Sequence, residues 1–251
     1  MTAPTSDADD VASNADIALA AKVHYSFLPR TYSDTAVDIA VKVRPLGLLG
    51  GDYCGIFPFG DNLIVCMCDV VGHGLASAML AARVNGFVLS HTERNAPCRL
   101  VESLNAFLCR HLSGTGLYTT FFTVFFDYRR GEMLYAGAGH PPALHYTNRR
   151  GTGEFLPSST TILGIEHPLP TPCSVGRRPL ESGDKVLLYT DGLMESRTPG
   201  GGLFGQHGME TFVEAQHGLD SAAFNEQLFD AANCYDCQIR DDILIMTVSV
   251  K

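Results

Sequence analysis

The stretch NLIVCMCDVVGHG, residues 62–74, together with the apolar segment Leu75–Leu89 that follows it, decides the fold. Leu63–Cys68 is a near-continuous apolar run, short enough for a strand and apolar enough for one buried on both faces. It stops abruptly at Asp69. Gly72 and Gly74 then let the backbone pass close to whatever the carboxylate holds. Leu75–Leu89 is apolar on most of its sides, which predicts a helix well covered by neighbours. A strand, an acid, a glycine loop and a helix follow one another here, and the rest of the chain continues as strands and helices of one domain.

The same grammar continues in both directions. Upstream, Ala36–Arg44 reads as a strand, and the loop Leu46–Gly51 leads to Asp52. Downstream, Leu100, Leu104, Phe107, Leu108 and Leu112 form the apolar stripe of a second helix. Tyr118–Tyr128 is rich in Thr, Phe and Val and reads as a strand. Arg129-Arg130-Gly131 turns it back into Met133–Ala138, and Gly139-His140-Pro141-Pro142 ends that strand before Ala143–Tyr146. Lys185–Thr190 is a strand closed by Asp191-Gly192. Two helices near Gln206–Gln216 and Ser221–Cys234 precede the last strand, Ile243–Val250, which Asp241-Asp242 opens. Near the start, Asn14–Leu28 has helical periodicity and Pro29 stops it. The organisation expected is a disordered N-terminus over residues 1–13, a linker helix over 14–30 and one domain over 31–251.

Composition narrows the function. The chain has 251 residues, 45% of them hydrophobic, and a formal net charge of −9. An acidic chain does not attract nucleic acid or an anionic membrane through its overall field. The pairs Arg129-Arg130, Arg149-Arg150 and Arg177-Arg178 read as solvated loop charge. No apolar run is long enough to span a bilayer, and the N-terminus lacks the basic start and apolar core of a secretory signal, so a cytoplasmic location is expected. Cys66 and Cys68 alternate along a strand, Cys109 sits in a helical pattern, and Cys54, Cys98 and Cys173 have no partner at ligand spacing. Cys234 and Cys237 are a single pair where structural zinc needs four ligands. Reduced, mostly buried thiols are expected.

The aspartates carry the chemistry. Asp69 and Asp191 end apolar strands, Asp241-Asp242 opens one, and Asp52 follows two glycines. An Asp beside Gly is by itself a common turn residue. Recurrence at strand ends weakens that reading without removing it, and carboxylates at the ends of neighbouring buried strands can converge at one sheet edge. Carboxylates converging there cannot all stay ionised unless cations neutralise them. Oxygen donors without a His/Cys cluster favour magnesium or manganese. Two such ions can lower the pKa of a water and clamp a phosphate.

Five motifs occur in order: Gly50-Gly51-Asp52-Tyr53, Cys68-Asp69-Val70-Val71-Gly72-His73-Gly74, Ala138-Gly139-His140-Pro141-Pro142, Tyr189-Thr190-Asp191-Gly192-Leu193-Met194-Glu195 and Asp241-Asp242-Ile243-Leu244. Together they resemble the PPM (type 2C-like) phosphatases, in the bacterial branch typified by RsbU and the sporulation stage II E phosphatases. The resemblance implies an α+β fold, an αββα sandwich of two central antiparallel sheets flanked by helices. It implies two Mn2+ or Mg2+ ions, with Asp69 bridging, the Val70 carbonyl as backbone ligand, Asp52 on one ion and Asp191 and Asp241 on the other. Asp242 either supports these or exchanges roles with Asp241. The implied reaction is direct hydrolysis of a phosphoserine or phosphothreonine by a metal-activated water, on a phosphorylated STAS-type anti-sigma factor antagonist in a partner-switching pathway. An activating partner or a second copy would dock on the N-terminal helix. His73 and His140 read as loop and turn residues rather than as acids. The competing readings are a catalytically silent phosphoprotein-binding module of the same fold and a hydrolase of small phosphoesters.

Overall fold

The computed structural model describes residues 7–91, 95–196, 202–233 and 241–251. In chain order the first elements are α1 (Asp7–Ser26), β1 (Thr31–Ser33), β2 (Val37–Arg44), β3 (Tyr53–Phe59), β4 (Asn62–Cys68), α2 (Leu75–Ser90) and α3 (Pro97–Leu112). Then come β5 (Phe121–Asp127), β6 (Glu132–Ala138), β7 (Ala143–Thr147), β8 (Thr152–Leu156), β9 (Gly176–Pro179) and β10 (Lys185–Tyr189). α4 (Asp191–Met194), α5 (Gly205–Gln216), α6 (Ser221–Asn233) and β11 (Ile243–Val250) complete the order.

The strands form two antiparallel sheets. One has the order β1-β2-β11-β10-β7-β8, the other β3-β4-β5-β6-β9. Strand periodicity explains why both faces are covered. In β10, Val186 and Leu188 belong to the main core, where they meet residues of the other sheet. Leu187 and Tyr189 belong to a second core with Leu193, Met209, Val213, Phe224 and Leu228 of α4, α5 and α6. β11 alternates in the same way, with Leu244, Met246 and Val248 in one cluster and Ile243 and Ile245 in the other. Successive side chains point to opposite faces of a sheet, so a strand apolar throughout needs a layer on each side. α2 and α3 add Leu80, Val84, Val88, Leu100, Leu104 and Leu108 to the main core, α2 beside β3 and α3 across β5 and β6. The result is the expected αββα sandwich.

Several elements differ from the sequence reading. α1 begins at Asp7, inside the stretch expected to lack structure, and ends at Ser26 rather than Leu28. β3 was not anticipated, because Gly55 and Pro58 interrupt its apolar run. The structure accommodates both: a Cβ on Gly55 would lie 2.5 Å from the Phe57 ring and the Tyr53 hydroxyl, and β3 is a sheet edge, where proline is tolerated. Arg177-Arg178 lies on strand β9 rather than in a loop; Arg177 binds Glu132 at 2.7 Å and Arg178 Nε binds Glu154 at 2.9 Å. The other two pairs flank turns as expected. Cys234 and Cys237 lie outside the described residues. Among the described residues, no helix is long and apolar enough to cross a membrane.

The thiols need one correction. Cys98 and Cys173 form a disulfide with their Cα atoms 5.5 Å apart, across a sequence separation of 75. Spacing could not show this, because only the folded topology brings the start of α3 beside the segment preceding β9. Cys54, Cys66 and Cys68 are buried thiols outside any disulfide, as expected. Closing a loop of this length removes unfolded-state entropy of roughly 2–4 kcal/mol. Cys173→Ala is therefore expected to lower the urea-unfolding free energy by about 2–4 kcal/mol without reductant, a difference that vanishes in dithiothreitol. Equal stability of the two proteins without reductant would show that the bridge contributes nothing.

Candidate active site

Two strand pairings bring the acids together. Tyr53 opposes Cys68 in the β3–β4 ladder, so Asp52, just before β3, and Asp69, just after β4, share one sheet end. In the other sheet Tyr189 opposes Ile245, which sets Asp191 beside the Asp241-Asp242 entry to β11. Hydrogen bonds couple the two sheets at this end. Thr190 Oγ1 donates to Asp52 Oδ2 at 2.7 Å and accepts from the Leu244 N–H at 3.0 Å. The buried Asp242 accepts from the Leu46 N–H at 2.6 Å and the Gly51 N–H at 2.9 Å.

The glycines fit this close approach. A Cβ on Gly51 would lie 2.7 Å from the Val70 carbonyl oxygen, and one on Gly50 would lie 2.5 Å from Asp242 Oδ2. Only glycine lets the loop lie against the Val70 carbonyl and the acids. Gly72 and Gly74 take φ values of 78° and 93°, which turn the chain from Asp69 into α2.

Electrostatics show what the arrangement lacks. Burial, with Asp69 next, pushes the Asp52 carboxyl well above the usual range. Burial, then Asp191, Asp241 and Asp242, pushes Asp69 up to about 7. Burial, then Asp241 and Glu195, also raises Asp191. Among the described residues, no lysine or arginine is named with the groups that act most on these three acids. Acids that repel one another fit a site that takes cations, and an oxygen-only donor set fits hard ones. Among the described residues, no three His, Cys, Asp or Glu side chains form a complete cage. Magnesium-type ions are commonly held by one or two carboxylates and keep several waters.

A pH dependence follows. Between the unfolded carboxylate value near 4 and the folded value of about 7, the native protein binds more protons than the unfolded chain. Stability of the chelated protein is therefore present at low pH and lost as pH rises through 7. Thermal melts in EDTA are expected to fall from pH 5.5 to pH 8, and saturating Mn2+ to reverse the trend. A melting temperature that rises over this range in EDTA would contradict the assignment of these shifts.

The groups that hold the acids in place carry no signal of that role in the sequence. Thr119 Oγ1 donates to the Asp69 carbonyl at 2.7 Å, and Thr120 Oγ1 accepts from the Asp69 N–H at 3.1 Å. The run Tyr118–Thr120 carried only a strand signal, and Thr190 lay inside a quoted motif without a role. His73 is exposed on the loop, whereas His140 is buried. Asp241 is exposed and Asp242 is buried with its carboxylate occupied by backbone donors.

The fold, two antiparallel sheets flanked by helices, is that of the PP2C domains. The SiaA PP2C domain of Pseudomonas aeruginosa superposes with a TM-score of 0.83 over 98% of this chain and 100% of that one, at 17% identity. The catalytic domain of the phosphatase PstP, solved with two manganese ions, superposes with a TM-score of 0.61 over 86% of this chain and 98% of that one, at 14% identity. The phosphoserine phosphatase RsbU of Bacillus subtilis is 23% identical over 239 residues, 94% of this chain and 70% of that protein. Residues 60–251 match the stage II sporulation protein E (SpoIIE) family. The chain belongs to that family.

Proposed function

We propose that this chain is a Mn2+- or Mg2+-dependent phosphatase of phosphoserine and phosphothreonine in proteins. The observation that carries the reading is the set Asp52, Asp69 and Asp191, drawn from both sheets and mutually repelling. Asp52, Asp69, Asp191, Asp241 and the Val70 carbonyl would hold two ions. The exposed Asp241 suits direct ligation, while Asp242 is committed to the Leu46 and Gly51 amides. When bound, the ions supply a water of lowered pKa and offset charge on the phosphoryl oxygens. The protein's part is positioning. Thr119 and Thr120 fix the backbone at Asp69, Thr190 fixes the Asp52 carboxylate, and Asp242 fixes the glycine loop between them. A water then displaces the serine or threonine oxygen from phosphorus, and the leaving oxygen departs with a proton.

The substrate we propose is a phosphorylated STAS-type anti-sigma factor antagonist, in line with RsbU, which is named a phosphoserine phosphatase. Release of phosphate from such a protein far faster than from para-nitrophenyl phosphate, with Mn2+ and not with EDTA, is the expected result. Equal rates on both would favour a small-phosphoester hydrolase, and binding without turnover a silent module.

Control would act through α1. Its His24 is buried against the domain, while Leu19 and Val23 are each 60% exposed, so one face is anchored and another is open to a partner or a second copy. Deleting residues 1–28 is expected to change turnover or oligomeric mass. No change in either, by assay and light scattering, would remove α1 from the regulatory account.

A further inference from the structure

The last strand end at the site, Gly137-Ala138-Gly139-His140, is built around a histidine to which the phosphatase reading gives no role. A Cβ on Gly137 would lie 2.5 Å from Ser158 Oγ, and one on Gly139, at φ +61°, would lie 2.3 Å from Ile162 Cγ2. Both positions therefore demand glycine. Ser158 Oγ accepts from the His140 N–H at 3.1 Å and donates to the His140 carbonyl at 2.8 Å, clamping its backbone from both sides. The ring is buried, and burial pushes it down to about 3, so it is neutral. Its Nδ1 lies 2.8 Å from Thr120 Oγ1. Its Nε2 is buried without a hydrogen-bond partner; the Tyr189 carbonyl favours a proton on the ring but makes no bond of good geometry to that nitrogen.

A buried polar atom left unpaired costs free energy, and a purely structural position could be filled by an apolar ring at lower cost. What the imidazole adds is the contact to Thr120. When the neutral ring's Nδ1 accepts a hydrogen bond from the Thr120 hydroxyl, the hydroxyl lone pairs turn toward the Asp69 N–H at 3.1 Å. The Thr120 N–H also donates to the Asp69 carbonyl at 2.9 Å. Asp69 is thus held at both ends of its peptide by a residue whose own side chain is oriented by His140.

We propose that His140 is a positioning residue for the cation site: through Thr120 it fixes the backbone that carries Asp69, and so sets the affinity for divalent cations. The inference rests on the reading of Asp69 as a cation ligand. Groups that orient a ligand from behind commonly change metal affinity by about 10–100-fold when removed.

The test is calorimetric titration of Mn2+ into the full chain at fixed pH, for the wild type and four variants, each checked by its unfolding transition in chelator. His140→Gln moves the polar atom away from the Nδ1 position, and Thr120→Val removes the hydroxyl; both are expected to weaken Mn2+ binding by about 10-fold or more. His140→Asn, whose amide can occupy the Nδ1 position, and Thr120→Ser are expected to stay within about threefold of wild type, since each keeps the contact. Wild-type affinity in folded His140→Gln and Thr120→Val would overturn the proposal. So would an equal loss in His140→Asn and His140→Gln, which would mark a packing role. A wild-type protein that binds no Mn2+ would overturn the cation-site reading itself, an outcome distinct from the other two.

Discussion

Replacing Asp69 with asparagine is expected to lower metal-dependent phosphatase turnover by at least about 10^2–10^3-fold, the scale on which removing one charge-stabilising group acts. Asp69 stands where β4 leaves the sheet and feels Asp191, Asp241 and Asp242 together. It is therefore the acid best placed to be shared by two cations. The substitution keeps shape and volume, and the Thr119 and Thr120 bonds go to the Asp69 backbone, so they survive it. The fold should not suffer. Without metal the variant should in fact melt higher than wild type at pH 8, because a buried acid repelled by its neighbours has been neutralised. Loss of activity combined with a gain in metal-free stability is the signature of a site that stores repulsion for cations to relieve. Retention of wild-type turnover by Asp69→Asn would remove Asp69 from the chemistry.

The second large effect concerns folding rather than chemistry. Asp242→Ala removes the acceptor of two backbone donors, the Leu46 N–H at 2.6 Å and the Gly51 N–H at 2.9 Å. Asp242 is buried, so water cannot replace it freely at either amide. Each abandoned donor costs about 1–3 kcal/mol, and the expected loss in urea-unfolding free energy is about 3–5 kcal/mol. The glycine loop positions Asp52, so activity should fall as well. Asp242→Asn keeps one acceptor oxygen and should lie between alanine and wild type. A loss below about 1 kcal/mol for alanine would mean that the loop finds other partners.

The sequence made the centre of the fold legible because its signals there are local. Leu63–Cys68 is apolar without interruption, and glycines follow Asp69 within a few residues. The N-terminal strand of the same hairpin was hidden, since Gly55 and Pro58 break the pattern of β3 and only its place at a sheet edge makes them acceptable. The candidate acids were legible from their places at strand ends. What orders them was not. The bond from Thr190 to Asp52 spans 138 residues and that from Asp242 to Gly51 spans 191. No periodicity carries information over such distances. The choice between Asp241 and Asp242 shows the same limit: adjacent in sequence, they differ only in what the tertiary structure places against each carboxylate. The Cys98–Cys173 bridge likewise waited on topology.

Cation binding by Asp52, Asp69, Asp191 and Asp241 together is the step on which the proposed function stands. Anomalous diffraction at the manganese edge, from crystals of the full chain grown with Mn2+, tests it most directly. Two peaks beside Asp69 are expected, with the Asp242 carboxylate still on the Leu46 and Gly51 amides. An absence of bound manganese at these acids, or manganese held only elsewhere on the surface, would contradict it.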